Sequence, residues 1–243
     1  MHNIQWIVCE DYEQLSAAAG HIFERQIIEK PGSVLGLATG DTPLGLYDFL
    51  ADRCRREGLD FSRITTFNLD EYYPMQPDHP QSYRRFMDEH LFARVNIRPA
   101  HTFVPNGAAA DPQAACRDYE ALLDRMGGID LQLLGVGHNG HIGFNEPGDR
   151  LVAFTHVTDL TQRTLQANAR FFNSIDEVPR RAITMGMGTI LKARAIVCLI
   201  AGADKHPVVE AMQTDWISPA CPATFLKLHA NVTVICDRKA YEG

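Results

Sequence analysis

Short apolar runs alternate with longer segments of helical periodicity along most of the chain, and this pattern constrains the fold more than any other feature. Most of the runs are continuously apolar, as strands buried on both faces of a parallel sheet are. The predicted strands are Ile4–Val8, Val34–Leu37, Ile64–Phe67, Leu131–Val136, Ala195–Ile200 and Val232–Cys236. The predicted helices are Tyr12–Glu29, Pro43–Arg56, Ser82–Phe92, Asp111–Arg125 and Lys205–Met212. The pattern predicts an α/β fold of Rossmann-like type, with an open, mostly parallel sheet and helices on both faces.

The length favours a single domain over residues 1–243, because single hydrophobic cores stop growing only at about 250 to 300 residues. One stretch, residues 148–178, has a weaker pattern. It is polar, with a short helical run near Thr161–Phe171 and no strong strand. Such a stretch is expected to be either a mobile lid over a site or an ordinary surface excursion.

Charge and composition exclude several kinds of partner. The formal net charge of −7 argues against nucleic acids and anionic membranes, which are bound through Lys and Arg. We find no signal peptide and no apolar run near the roughly 20 residues that span a bilayer, so a cytoplasmic location is expected. A homo-oligomer is compatible with the sequence. The cysteines have no C-x-x-C spacing and are predicted to be free thiols: Cys9, Cys54, Cys116, Cys198, Cys221 and Cys236.

A loop after the second predicted strand is a candidate phosphate site. It contains Thr39, Gly40, Asp41 and Thr42, and Pro43 follows. We expect Thr42 to be the N-cap of the next helix and Pro43 its first residue, which would aim backbone N–H groups and the helix dipole at an anion. The alternative is a glycine needed only for the turn.

Two acids, Asp70 and Glu71, follow the third predicted strand almost directly. Ligands of open α/β sheets bind beyond the carboxyl ends of the strands, so either acid could serve as a general base. The alternative, which spacing alone favours, is that such acids cap a helix.

The stretch Leu134–Pro147 carries the most chemistry. Four glycines, two histidines and an acid follow an apolar strand, which gives a tight loop with a group that titrates near neutral pH. His138 and His141 are three residues apart without a clear third and fourth ligand, so we expect no metal here. Arg170 and Lys205 are cations that could neutralise a phosphate, although each taken singly reads as a surface charge.

Five ordered motifs make the chain similar to the glucosamine-6-phosphate deaminase family, within the superfamily that also holds 6-phosphogluconolactonases. The similarity runs from Leu35 to Cys236. The motifs are Thr39-Gly40-Asp41-Thr42-Pro43, Phe67-Asn68-Leu69-Asp70-Glu71-Tyr72, Gly140-His141-Ile142-Gly143-Phe144-Asn145-Glu146-Pro147, Thr184-Met185-Gly186-Met187-Gly188-Thr189, and Gly202 with Lys205.

The resemblance implies a role for each matching residue. Asp70 would be the base that moves a proton between C2 and C1 of the opened sugar, and His141, oriented by Glu146, would assist ring opening. The loop Thr39–Thr42, with Arg170 and Lys205, would hold the phosphate of an amino-sugar phosphate. The reaction, which yields fructose 6-phosphate and ammonia, would need no metal and no organic cofactor.

Two positions depart from the family pattern. Asn139 stands where many relatives carry an acid, and we expect its side-chain carbonyl to accept the ring N–H of His141. Residues 148–158 lack the basic cluster through which allosteric members bind an activating phosphosugar, so such regulation is not expected.

Three other functions remain as alternatives. One is deamination of galactosamine 6-phosphate, which the sequence hardly separates from the main hypothesis, and another is hydrolysis of 6-phosphogluconolactone. Asn145-Glu146-Pro147 resembles the deaminases rather than the lactonases. A non-catalytic sugar-phosphate sensor is the third, and the presence of Asp70 and His141 argues against it.

Overall fold

The computed structural model describes residues 4–172 and 174–243 and has an α/β architecture. Its strands are β1 Ile4–Cys9, β2 Val34–Leu37, β3 Thr65–Asn68, β4 Asp70–Tyr73, β5 Thr102–Phe103, β6 Leu131–Gly135, β7 His156–Asp159, β8 Arg181–Thr184, β9 Ala195–Ile200 and β10 Val232–Asp237. Its helices are α1 Tyr12–Glu29, α2 Leu44–Glu57, α3 Tyr83–His90, α4 Pro112–Arg125, α5 Gln162–Asn168, α6 Met187–Ile190, α7 His206–Gln213 and α8 Arg238–Glu242.

Seven strands form one parallel sheet in the order β1-β10-β9-β6-β2-β3-β5. The predicted open, parallel sheet is therefore confirmed. After β2 the chain moves towards one edge through β3 and β5, then returns to β6 on the other side of β2 and continues outwards. The order thus reverses between β2 and β6, and the loops that leave these two strands diverge. This divergence opens a crevice at their carboxyl ends.

A smaller antiparallel sheet, in the order β4-β8-β7, was not predicted. The expectation that residues 148–178 contain no strong strand is wrong, because β7 lies within them; residue 173 of that stretch is outside the described residues. β7 has partly exposed, mostly polar side chains, so it lacks the apolar run that marks a buried strand. β4 follows β3 after one residue, which concealed the boundary between the two sheets.

The helix after the phosphate-loop candidate begins later than predicted. α2 starts at Leu44, its flanking residue is Pro43, and no side chain caps it. The prediction that Thr42 is the N-cap is therefore wrong. The Leu44 N–H is bonded to the carbonyl of Asp41 at 3.3 Å, so a turn takes up residues 41–44 before regular helix begins. Gly40, with φ 97°, supplies the left-handed conformation that precedes this turn.

Two apolar clusters stabilise the fold. The larger lies between the parallel sheet and its helices, and strand residues such as Leu133 and Val234 are fully buried in it. The smaller unites the antiparallel sheet with α5 through seven buried residues: Tyr72, Met75, Phe144, Leu160, Leu165, Val178 and Ala182. All six cysteines are free thiols, and within the described chain no helix is long and apolar enough to span a bilayer.

Asp130 joins three elements at the amino ends of the central strands. Its buried carboxylate accepts two hydrogen bonds of 2.7 Å from Lys30 Nζ and one of 2.9 Å from the Val34 N–H, and it is paired with Arg194. Burial opposes ionisation of Asp130, but these donors outweigh it and lower the pKa of the carboxyl group. The carboxylate thus ties the starts of β2, β6 and β9 together.

We expect Asp130→Asn to lower the free energy of unfolding by about 1 to 3 kcal/mol at pH 7, because two cations and a buried N–H lose a charged acceptor. Urea unfolding measures the change, with the exposed Asp124→Asn on α4 as control. The pKa of Asp130 is lowered in the folded state, so its stabilisation is lost as pH falls. The difference in the free energy of unfolding between variant and wild type should therefore narrow below about pH 4. A difference that stays constant with pH would show that the stabilisation by Asp130 does not depend on its charge.

Candidate active site

A pocket of about 340 Å³ lies in the crevice at the carboxyl ends of β2 and β6. Of the ten site residues predicted from sequence, eight line it: Thr39, Gly40, Asp41, Thr42, Asp70, His141, Arg170 and Lys205. The other two, Asn139 and Glu146, contact one another on the loop that carries His141. The structure thus brings together residues from five separate parts of the chain.

Two tyrosines fix the loop after β2. Tyr12 Oη donates to the carbonyl of Thr42 at 3.0 Å, and the Gly45 N–H donates to the same hydroxyl at 2.9 Å. Tyr47, fully buried, donates its hydroxyl to the carbonyl of Ala38. The loop is therefore anchored at both ends while its middle forms the pocket wall.

The two cations of the pocket are each next to an acid. Arg170 Nη2 is 3.3 Å from Asp41 Oδ2, and both side chains are largely exposed. Lys205 Nζ is 3.0 Å from Asp204 Oδ2, and its side chain is only 18% exposed. Both acids are largely exposed, so these ion pairs contribute little and an arriving anion can replace the acids as partner of the two cations.

Asp70 begins β4 and is nearly completely buried at the pocket. Burial, together with the negative charge of Glu71, raises the pKa of Asp70 to about 8. Gly143, with φ 57°, makes room beside it, since a Cβ at this glycine would lie 3.1 Å from Asp70 Oδ2 and 2.8 Å from Thr184 Oγ1. A buried carboxyl group that titrates near neutral pH is suited to proton transfer.

Glu71 serves a different purpose from its neighbour. Its Oε1 accepts hydrogen bonds of 2.9 Å from the N–H groups of Tyr72 and Tyr83, and Oε2 accepts one of 3.0 Å from the Arg84 N–H. Burial raises the pKa of Glu71, and these three donors act against that rise. Glu71 therefore caps the start of α3, so the capping alternative holds for this acid, whereas Asp70 lies at the pocket.

His141 is backed by an acid and an amide from its own loop. Its Nδ1 is 3.5 Å from Glu146 Oε1, an ion-pair distance, and Asn139 Nδ2 donates to Glu146 Oε2 at 2.9 Å. Burial opposes ionisation of Glu146, but contacts from His141, Asn139 and Thr164 outweigh it and hold its pKa at about 2. Glu146 is therefore a carboxylate at any working pH.

The predicted contact of Asn139 with the ring of His141 is wrong. Asn139 Oδ1 instead accepts the backbone N–H of His141 at 3.2 Å, and the amide donates to Glu146. The loop turns tightly between residues 139 and 141. The amide oxygen of Asn139 therefore meets the backbone N–H of His141 before it can reach the ring. Asn139 thus acts on the ring through Glu146.

Three residues that line the pocket lie outside every motif singled out from the sequence: Tyr83, Thr164 and Asn168. Tyr83 is the first residue of α3, and its ring is parallel to that of Phe144 at 6.2 Å between centroids. Thr164 and Asn168 lie on α5, inside residues 148–178. A short helical run near Thr161–Phe171 was predicted there, but the sequence did not show that Thr164 and Asn168 would line the pocket.

His138 and His141 lie close to each other on their loop. The rings of His138 and His141 are 6.1 Å apart between centroids. Among residues 4–172 and 174–243, no group of three or more His, Cys, Asp or Glu side chains could hold a metal ion.

The sequence is similar to known proteins over nearly its whole length. A family model described as glucosamine-6-phosphate isomerases/6-phosphogluconolactonase matches residues 10–235. A glucosamine-6-phosphate deaminase of Halothermothrix orenii is 51% identical over 96% of this chain and 97% of its own length. A protein of the same name from Clostridium beijerinckii is also 51% identical, over 96% of each chain.

Solved structures give the same relation. A structure described as a monomeric glucosamine-6-phosphate deaminase superposes with a TM-score of 0.95 at 47% identity, over 98% of this chain and 99% of the other. The 6-phosphogluconolactonase of Trypanosoma brucei superposes with a TM-score of 0.77 at 23% identity, over 100% and 99%. At that identity the lactonase shares the fold, and nothing finer follows from it.

We expect Asp70→Asn to raise the melting temperature, and to raise it more at pH 8 than at pH 5. The pKa of Asp70 is raised from 3.8 to about 8 on folding, so between these values the folded state retains a proton that the unfolded state has released. Wild-type stability therefore falls as pH rises through this window, at most by about 1.4 kcal/mol per pH unit, and the amide removes that loss.

Thermal unfolding of both proteins from pH 5 to 8 measures this difference. Asp149→Asn, in an exposed loop, is the matched control and should follow wild type. If the melting temperatures of Asp70→Asn and wild type instead changed with pH in parallel, Asp70 would be ionised in both the folded and the unfolded state from pH 5 to 8.

Proposed function

The chain belongs to the glucosamine-6-phosphate isomerase/6-phosphogluconolactonase family, and on that premise we propose that it converts glucosamine 6-phosphate and water into fructose 6-phosphate and ammonia. The observation that carries the proposal is the buried carboxyl group of Asp70, with its pKa near 8, in one pocket with the His141–Glu146 pair. An aldose-to-ketose conversion requires both a base at a carbon acid and an acid–base group at the ring oxygen. The near-identical length and 51% identity of the deaminases support the same activity.

The reaction begins with ring opening. The pyranose must lose a proton from its C1 hydroxyl and gain one at the ring oxygen, and a histidine can carry out both transfers. His141 lines the pocket, and the carboxylate of Glu146 behind its Nδ1 stabilises the ring when it is protonated. We assign ring opening to this pair, with Asn139 as the hydrogen-bond donor that orients Glu146.

Isomerisation follows on the open chain. Asp70 removes the proton from C2 and returns one to C1, while the C1 oxygen gains a proton and the nitrogen loses one, so that the 2-amino aldehyde becomes a ketose imine. Water then hydrolyses the imine, which releases ammonia and leaves a keto group at C2. An ammonium group at C2 of the bound sugar would favour the carboxylate form of Asp70, which readies the base when substrate binds.

The phosphate is assigned to the part of the pocket formed by the loop after β2. There Thr39–Thr42 form a rigid loop after β2, and Arg170 and Lys205 provide positive charge. Both cations would exchange Asp41 and Asp204 for phosphate oxygens. In a protein of net charge −7, such local cations are required to hold a dianion.

The organisation around this chemistry is also proposed. We expect one functional domain, with residues 148–178 as the segment that covers the pocket, because α5 already contributes Thr164 and Asn168 to its wall. A cytoplasmic location fits a phosphorylated substrate, since its charge prevents passage through a bilayer. The description of one solved relative as monomeric makes a monomer the first state to test, with a homo-oligomer as the alternative.

Three substrates should be tested in parallel. Ammonia release is measured with glucosamine 6-phosphate and galactosamine 6-phosphate, and acid production is measured with 6-phosphogluconolactone. We expect turnover of the glucosamine compound, and Asp70→Asn should lower it by about 10²- to 10⁴-fold because the amide cannot accept the C2 proton. Deuterium incorporation from solvent at C1 should fall equally. Preference for the galactosamine compound or the lactone would replace the proposed function by that alternative, and undiminished exchange in the variant would remove Asp70 as the base.

Asn139→Ala should lower kcat/KM by about 5- to 100-fold, which corresponds to the loss of a hydrogen bond to a charged group. The amide then no longer holds Glu146, and the pKa of Glu146 should rise because one of the contacts that lower it is gone. Asn139→Gln, which retains an amide, is the matched comparison and should lose less. An alanine variant with wild-type kcat/KM would show that residue 139 has no part in orienting the acid.

A further inference from the structure

The hydroxyl of Thr164 links α5 to the acid behind the histidine. Thr164 Oγ1 is 2.8 Å from Glu146 Oε1, across 18 positions of sequence. The same Oε1 is the atom that faces His141 Nδ1 at 3.5 Å. One carboxylate oxygen is therefore shared between the histidine ring and a threonine from another element.

The direction of this hydrogen bond follows from charge. The pKa of Glu146 is held at about 2, so its carboxylate can only accept, and the single proton of Thr164 Oγ1 must point to it. Thr161 Oγ1 lies 2.9 Å from Thr164 Oγ1, and because the Thr164 proton is already used, Thr161 is the donor in that pair. Thr161 in turn accepts the Thr164 N–H at 3.2 Å as the N-cap of α5. The chain of donors runs from Thr161 through Thr164 to Glu146.

Packing fixes α5 in the position that this contact needs. Leu165, next to Thr164, is buried in the small apolar cluster with Tyr72 and Phe144. Phe144 is itself two residues before Glu146 on the histidine loop. The same cluster thus holds the donor helix and the acceptor loop, so the distance between Thr164 and Glu146 is set by the core of the small sheet.

We propose that Thr164 is a positioning residue for ring opening, whose hydroxyl fixes the carboxylate oxygen of Glu146 that faces His141. This inference rests on the proposed function. Asn139 holds the other oxygen of Glu146, so two donors from different elements determine the plane of the carboxylate. Without the Thr164 hydroxyl, the carboxylate can turn about its bond to Cγ, and the His141 ring loses a fixed acceptor.

Thr164→Val removes the hydroxyl and keeps the branched shape, so it isolates the hydrogen bond. We expect kcat with glucosamine 6-phosphate to fall about 5- to 50-fold and KM to change less than about twofold, because the lost contact supports the reacting ring rather than the bound phosphate. Thr164→Ser retains the hydroxyl and should recover most of kcat. Thr158→Val, on the neighbouring strand β7, is the matched control and should resemble wild type.

An acyclic probe separates positioning from damage to the pocket. The alditol 2-amino-2-deoxyglucitol 6-phosphate has no ring to open, so its binding does not depend on ring-opening chemistry. Calorimetry should give a Kd within about twofold of wild type for Thr164→Val. A variant that binds the alditol much more weakly, with no recovery in Thr164→Ser, would show that Thr164 acts through packing and would overturn the proposal, as would a wild-type kcat in Thr164→Val.

A second readout does not depend on turnover. Because Nδ1 faces a carboxylate, the neutral His141 ring should carry its proton on Nδ1, and ¹⁵N chemical shifts of the ring report this tautomer. Thr164→Val should show a mixture of tautomers and Thr164→Ser the wild-type state, with His141→Gln used to assign the signals. Unchanged tautomers in Thr164→Val would overturn the inference even if the wild type proved inactive on glucosamine 6-phosphate. Inactivity of the wild type would refute the proposed function alone.

Discussion

The close pairing of β2 with β6 is the constraint on which the rest of the site depends. These strands begin the two halves of the doubly wound sheet, and their loops carry the two walls of the pocket. Gly36 permits the approach, since a Cβ there would lie 2.1 Å from Gln132 Oε1 on the facing strand. With the strands in this register, the loop of Thr39–Thr42 and the loop of His141 face each other across a single crevice. The position of the chemistry is thus decided by backbone packing in the centre of the sheet.

The charged groups at the pocket have different surroundings. Arg170 and Lys205 are each next to an acid, Asp41 and Asp204, while Asp70 is buried beside Glu71. The surroundings of Asp70 and of Glu146 move the pKa values of these two acids in opposite directions: that of Asp70 rises to about 8 and that of Glu146 falls to about 2. One carboxyl group is therefore ready to exchange a proton near neutral pH, and the other remains a fixed negative charge. This difference between the two acids follows from which hydrogen-bond donors reach each carboxyl group.

The small antiparallel sheet connects Asp70 to the segment of residues 148–178. β4 carries Asp70 and pairs with β8, which pairs with β7 in residues 148–178. The apolar cluster under these strands also contains Phe144 of the histidine loop and Leu165 of α5. The strand that carries Asp70, the loop that carries His141 and helix α5 thus share one small core. A change in the position of α5 would be transmitted to Glu146 through Thr164 rather than through the main sheet.

Local sequence patterns predicted six of the seven strands of the parallel sheet and most of its helices, because continuous apolar runs and helical periodicity are local; the two-residue β5 was missed. The ten candidate site residues came from the loop motifs taken together with the family resemblance, which the sequence also carried. Spacing alone could not separate Asp70 from Glu71, since the directions of their side chains depend on the pairing of β4 with β8 and on the distant N–H groups of Tyr83 and Arg84. The sequence also predicted the wrong hydrogen-bond partner for the side-chain oxygen of Asn139. It did not reveal strand β7 or the pocket residues Tyr83 and Thr164, for the same reason. Those contacts join residues far apart in the chain or turn on the geometry of one loop, and only the tertiary structure decides which atoms meet there.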